Sequence, residues 1–151
     1  MTTPAVRFPF SVELGEQHDA LRATLGWMES EIGAKGARVL GERGFLSRLR
    51  TWRAHLGQHF RFEEAAGFDG AVVSPDAEVR TQATNLLRQH RALEARFDAL
   101  LDRTAAPPGA EDAAELLVEL RRFFRQLRQH DAFEDALLQR VARGPADVSP
   151  A

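Results

Sequence analysis

Three features of this 151-residue sequence predict an all-α fold, an up-down-up-down antiparallel four-helix bundle. Four stretches repeat apolar residues at spacings of three and four, the period that gives a helix one buried stripe. Breaks rich in glycine or proline separate those stretches. No stretch alternates polar and apolar residues as a half-buried strand would. Short connections favour antiparallel neighbours. A chain of this length is expected to form one domain with a real core.

Residues 1–10 hold Pro4 and Pro9 and show no helical period. They read as an extended N-terminal arm whose Phe8 and Phe10 cover an end of the bundle. Ser11 is the expected N-cap of a first helix over 11–33. Its stripe is Leu14, His18, Leu21, Leu25, Met28 and Ile32, with His18 the one polar member. Glycines at 33, 36, 41 and 44 mark a loop or a frayed helix start. A second helix is expected over 43–66, with Phe45, Leu49, Trp52, Leu56, His59, Glu63 and Ala66 on one face.

The run from Gly67 to Gly70 breaks that helix. Ser74 and Pro75 read as N-cap and first residue of a third helix, 75–104. Val79, Ala83, Leu86, His90, Leu93, Phe97 and Leu100 form its stripe, again with one polar member. Residues 105–109 are a linker. The fourth helix, 110–142, has Ala113, Leu116, Leu120, Phe123, Leu127, His130, Glu134, Leu137 and Val141 in line. Gly144 and Pro145 stop it, and 143–151 read as a disordered tail. The bundle domain is therefore 11–142.

The polar members of the stripes form a pattern of their own. His59 and Glu63 stand four residues apart, and so do His130 and Glu134. That spacing stacks both side chains on one helix face. His18 precedes His59 by 41 residues and His90 precedes His130 by 40. The site is thus written twice, and antiparallel packing brings all six residues toward one end of the bundle. A buried imidazole or carboxylate is costly unless paired or coordinated. One such histidine would be an ordinary core residue, bonded to a backbone carbonyl. Four, one per helix and two with a carboxylate at i+4, point to a dinuclear metal site of the kind bundle cores build. Histidine and carboxylate without sulfur suit iron, and zinc or manganese less specifically.

Composition narrows the function further. A net charge of −2 gives no support to a nucleic-acid or anionic-membrane partner. The absence of cysteine removes disulfides, thiolate metal sites, iron–sulfur clusters and cysteine nucleophiles. The absence of tyrosine removes a tyrosyl radical. No secretory leader or membrane span is read in the sequence, so a cytoplasmic protein is expected. Arg121, Arg122, Arg125 and Arg128 read as a solvated face. Trp27 and Trp52 read as packing residues, and Trp52, about two turns from His59, is placed to shield the site.

The order His18, His59-x-x-x-Glu63, His90, His130-x-x-x-Glu134 resembles the hemerythrin-like (HHE cation-binding) domain family over residues 11–142. The resemblance implies a non-haem di-iron centre: two iron ions with a bridging oxo or hydroxo group. It makes Glu63 and Glu134 the bridging carboxylates and His18, His59, His90 and His130 the terminal ligands. It implies O2, peroxide or nitric oxide as small ligands.

One departure changes the count. The oxygen-carrying members have a further histidine four residues before the one on the third helix, and here that residue is Leu86. Two six-coordinate ions offer about twelve positions. Four histidines, two bridging carboxylates and a bridging oxygen leave two open. Reversible oxygen carriage is then less expected than redox chemistry, sensing or iron handling, with peroxide breakdown or Fe(II) oxidation as possible activities. His55, one turn before His59, reads as an outer partner or a partly exposed residue. Glu64 and Asp135 each follow a proposed bridge. Asp135 also fits the H-x-x-x-x-D spacing of the oxygen carriers, but Glu134 keeps the stripe. The competing reading is a regulatory or interaction module whose metal is structural or absent.

Overall fold

The structure is a computed structural model that describes residues 8–68, 70–106 and 109–143. The arm through residue 7, the side chains of Phe8 and Phe10, and the tail from residue 144 lie outside the described residues. Four helices make the fold: α1, Phe8–Lys35; α2, Arg43–Ala66; α3, Ala77–Ala105; and α4, Ala110–Arg143. Among the described residues there are no strands, and no helix is long and apolar enough to cross a membrane.

Side-chain pairs give the directions. On α1 and α4, Arg22 meets Asp131 while Glu29 meets Arg128, so one number rises as the other falls. On α3 and α4, Arg96 meets Gln126 and Arg103 meets Glu119. On α1 and α2, Gln17 meets His59 and the Leu21 carbonyl meets Trp52. On α2 and α3, Glu64 meets His90 and Arg53 meets Asp98. All four neighbouring pairs are antiparallel, which is the expected up-down-up-down bundle.

The predicted stripes are the buried faces. Of the first helix's stripe only Leu21 is half-buried, and every stripe residue of α3 is buried. Among the described residues, a buried cluster that includes Trp52, Phe97, Phe123 and Phe124 forms the main core. A smaller cluster of Phe68, Ala71, Val79, Ala83, Leu86 and Leu137 lies beyond the histidines. The six polar stripe residues separate the two.

Helix boundaries differ from expectation at two starts. The first helix begins at Phe8, ahead of Ser11. Pro9 fits in that first turn because the leading amides of a helix have no intrahelical acceptor. The third helix begins at Ala77, capped by Asp76 instead of Ser74. Asp76 Oδ1 accepts from the Glu78 and Val79 amides at 2.9 and 3.4 Å. Ser74 Oγ accepts one step earlier, from the Asp76 amide.

The intervening break is more than a stop signal. Gly67 ends α2 at φ 56, and a Cβ there would come within 2.7 Å of Val72 Cγ2. Phe68 follows at φ 52, a region costing a residue with a Cβ roughly 1–2 kcal/mol. Its fully buried ring, 6.3 Å from that of His90 between centroids, offsets this. The first turns of α3, with Val79 and Ala83, also pack here. Removing the ring should cost about 3 kcal/mol. Phe68→Ala is therefore expected to lower the melting temperature by about 6–12 °C, read by circular dichroism.

Candidate metal centre

The bundle brings all six predicted residues together. His18 (α1), His59 and Glu63 (α2), His90 (α3), and His130 and Glu134 (α4) are each at most 4 % exposed. Each imidazole is held from outside at Nδ1. His18 Nδ1 lies 3.1 Å from Asp135 Oδ1, and His90 Nδ1 lies 3.3 Å from Glu64 Oε1. His59 Nδ1 lies 2.7 Å from Gln17 Oε1, and His130 Nδ1 lies 2.8 Å from Gln89 Oε1. A carboxylate accepts only, so Asp135 and Glu64 place the hydrogen on Nδ1 of their histidines. Gln17 turns its amide nitrogen to Glu13, which leaves its oxygen to accept from His59.

With Nδ1 protonated, the Nε2 lone pairs converge on the interior. His18 Nε2 is 3.0 Å from His59 Nε2 and 3.0 Å from Glu134 Oε2. His59 Nε2 is 2.8 Å from Glu63 Oε1, and His90 Nε2 is 3.4 Å from Glu134 Oε1. His130 Nε2 makes a close contact with Glu134 Oε1. Two lone pairs 3.0 Å apart repel unless a proton or a cation lies between them. Two donors about 2.1 Å from one ion, at right angles, are about 3.0 Å apart. The two edges at His18 Nε2 match that value.

Both Glu63 oxygens and His130 Nε2 are buried without a hydrogen-bond partner. Their close neighbours lie off the hydrogen-bonding directions. Such orphaned atoms are rare in a folded interior, and a cation bound there would satisfy them. Among the described residues, two groups of side chains that could hold a cation share Glu134, and a third, His18 with Asp131 and Asp135, adjoins them. Of the first two, one is His18, His59, Glu63 and Glu134; the other is His90, His130 and Glu134. The donor set is nitrogen and oxygen only, so it fits a first-row metal cation.

The two carboxylates titrate in opposite directions. Burial pushes Glu63 well above the usual carboxylate range, and the charge of Glu134 adds to this. Burial also opposes charge on Glu134, but the surrounding imidazoles of His130, His18, His59 and His90 hold it well below that range. Burial works against a charged His18 as well; the neighbouring Glu134 and Asp131 carboxylates outweigh it and raise its pKa.

Three other sequence candidates now have places. Glu64 and Asp135 are outer partners of His90 and His18. His55 is exposed, one turn away from the centre on α2. Sequence reasoning missed Gln17, Gln89, Asp131 and Phe60. A signal existed, since glutamine precedes all four histidines. It was ambiguous because Gln58 and Gln129 are exposed. Phe60 stacks on His90 with centroids 3.9 Å apart and planes 5° from parallel. Trp52 packs on Phe97 and Phe124, Trp27 carries Arg48 over its ring, and the arginine run on α4 is exposed.

Glu63 gives a pH test in chelator-treated protein. A carboxyl whose folded pKa is raised contributes stability at low pH that is lost as pH rises through that pKa. Glu63→Gln removes the loss. The melting temperature of metal-free Glu63→Gln should therefore gain on wild type as pH rises from 5 to 8. A gap constant across that range would contradict the raised pKa.

A family model described as the hemerythrin HHE cation binding domain matches residues 11–142. No curated protein and no solved structure matches the chain. The match spans all four helices from Ser11 and contains all six clustered residues, so the chain belongs to the hemerythrin HHE cation-binding domain family.

Proposed function

We propose that this chain is a non-haem di-iron protein that binds or reacts with O2, peroxide or nitric oxide. His18, His59, His90 and His130 are the terminal ligands, and Glu63 and Glu134 bridge the two ions. The observation that carries this reading is the buried Glu63 carboxylate, which has no hydrogen-bond partner and faces imidazoles whose hydrogens point outward. Iron suits these nitrogen and oxygen donors, with zinc and manganese less specific alternatives. When bound, two iron ions with a bridging oxo or hydroxo group supply one-electron chemistry and open coordination positions.

The chain's own residues select the ligand by size and polarity. A cavity of about 40 Å³ adjoins His59, His130 and Glu134. Leu25, Trp52 and Leu56 contribute apolar walls, while Arg22, Arg128 and Asp131 are polar lining residues that reach solvent. One water needs roughly 10–15 Å³ by such a measure. Organic substrates take pockets of roughly 300 Å³ or more. The space therefore suits a ligand of two or a few atoms. The apolar walls keep bulk water from the centre, and the outer partners hold the imidazoles in one orientation. This arrangement suits peroxide breakdown, Fe(II) oxidation or sensing, in the cytoplasmic setting that the sequence leads us to expect.

Metal analysis with an absorption spectrum of aerobically purified protein is the direct test. Close to two irons per chain is expected, with oxo-bridge absorption at about 300–400 nm that Glu63→Ala, Glu134→Ala protein lacks. Less than one iron per chain after anaerobic reconstitution would overturn the reading. Iron that stabilises the fold without any reaction with oxygen, peroxide or nitric oxide would favour a structural metal in a regulatory module. Leu56→Phe should fill the cavity at a stability cost of about 1–3 kcal/mol. It is expected to slow nitric oxide binding roughly tenfold in stopped flow at unchanged iron content.

A further inference from the structure

The internal repeat provides a comparison within one molecule. Residues of α1 recur on α3 at an offset of 72, from His18 to His90, and those of α2 recur on α4 at 71, from His59 to His130. Under these offsets Glu63 corresponds to Glu134, Glu64 to Asp135, and Gln17 to Gln89. The match fails at two positions beside the centre. Phe60 corresponds to Asp131, and Arg22 corresponds to Glu94. In one half the phenyl ring of Phe60 covers His90. In the other half the same place holds a carboxylate.

That carboxylate points inward with one oxygen and outward with the other. Asp131 Oδ1 lies 3.3 Å from His18 Nε2, the nitrogen that faces the centre. Asp131 Oδ2 accepts from Arg22 Nε at 2.5 Å. Arg22 also pairs with Asp135, which holds His18 from behind. One guanidinium therefore orients both the histidine and the carboxylate beside it. The 3.3 Å edge is close to the 3.0 Å edges that His18 Nε2 makes with His59 and Glu134. A carboxylate fixed by an outer hydrogen bond, one oxygen turned to the shared centre, is the usual state of a metal-ligating side chain. The partnerless Glu63 oxygens lie in the same centre.

We propose that Asp131 Oδ1 is a seventh protein ligand, bound to the ion beside His18 and His59. The inference rests on the di-iron reading. It makes the two positions unequal, with five protein donors on the His18 side and four on the His90 side. It also changes the count left by Leu86. Asp131 fills one of the two open positions, and the remaining one lies beside His90 and His130. A small ligand therefore binds there, at the ion with fewer carboxylates.

Anaerobic Fe(II) titration by calorimetry, with Mössbauer spectra of the oxidised product, tests this. Wild type should bind two ions in separable steps, the first at least roughly tenfold tighter, and should give two quadrupole doublets of equal area. Asp131→Asn should weaken the tight step by roughly 10–100-fold, leave the weak step within about twofold, and move one doublet. Arg22→Gln, which keeps the carboxylate, should weaken the tight step less than Asp131→Asn does. Asp131→Asn protein that titrates as wild type would overturn the ligand assignment and leave the di-iron reading standing. Equal effects of the two substitutions would reduce Asp131 to an ion-pair partner. If Asp131→Asn fails to fold, a single doublet in wild type overturns the inference. Wild type that takes up less than one iron removes the di-iron reading itself.

Discussion

Everything in this fold is arranged around two carboxylates buried in an apolar bundle. Moving one ionised carboxylate out of water costs several kcal/mol even after relaxation, while a whole domain is stable by only about 5–15 kcal/mol. Glu63 and Glu134, 0 % and 1 % exposed, cannot both be charged there without compensation. The four imidazoles compensate in part, and they favour Glu134. Glu63 is left to hold a proton or to meet a cation. A cation that binds this folded chain returns stability that the carboxylates cost it.

The two-fold repetition gives that arrangement its rigidity. Each imidazole is gripped by an oxygen from a different helix, so its ring is fixed by tertiary structure and not by its own backbone. Carboxylates serve α1 and α3, and glutamine oxygens serve α2 and α4. The same side-chain types recur in both halves, which is why a site with so many polar groups can be buried at all. Apolar clusters above and below hold the polar layer in place.

Much of this was legible in the sequence. The three-four spacing gave the buried faces of all four helices, and the six polar interruptions of those stripes are the residues that meet. The parts that were not legible depend on neighbours across the bundle. Phe60 and Phe124 lie off the predicted stripes yet are buried, because the bundle covers a wider face than a single seam. Phe68 sits in a run of turn residues, and only its left-handed backbone carries its ring to the core. Asp131 follows His130 directly and looks like surface charge until α1 brings His18 and Arg22 against it. The cap of α3 shifted from Ser74 to Asp76 because two candidate caps lay within one turn, and the amides of Glu78 and Val79 met the second.

The division of the site between the two hairpins bears on the order of assembly. The α1–α2 hairpin carries His18, His59 and Glu63, and the α3–α4 hairpin carries His90, His130 and Glu134. Glu134 crosses the seam to reach His18 and His59. His90, His130 and Glu134 all lie on the α3–α4 hairpin, whereas the His18 group draws on both hairpins, because Glu134 comes from α4. A tight grip on an ion there exists only once the halves have docked. A cation at that position would then be captured late, by a chain already folded, in contrast to small zinc domains whose metal nucleates the fold. The centre works as a clasp between two halves of one chain, and it reports that they have closed.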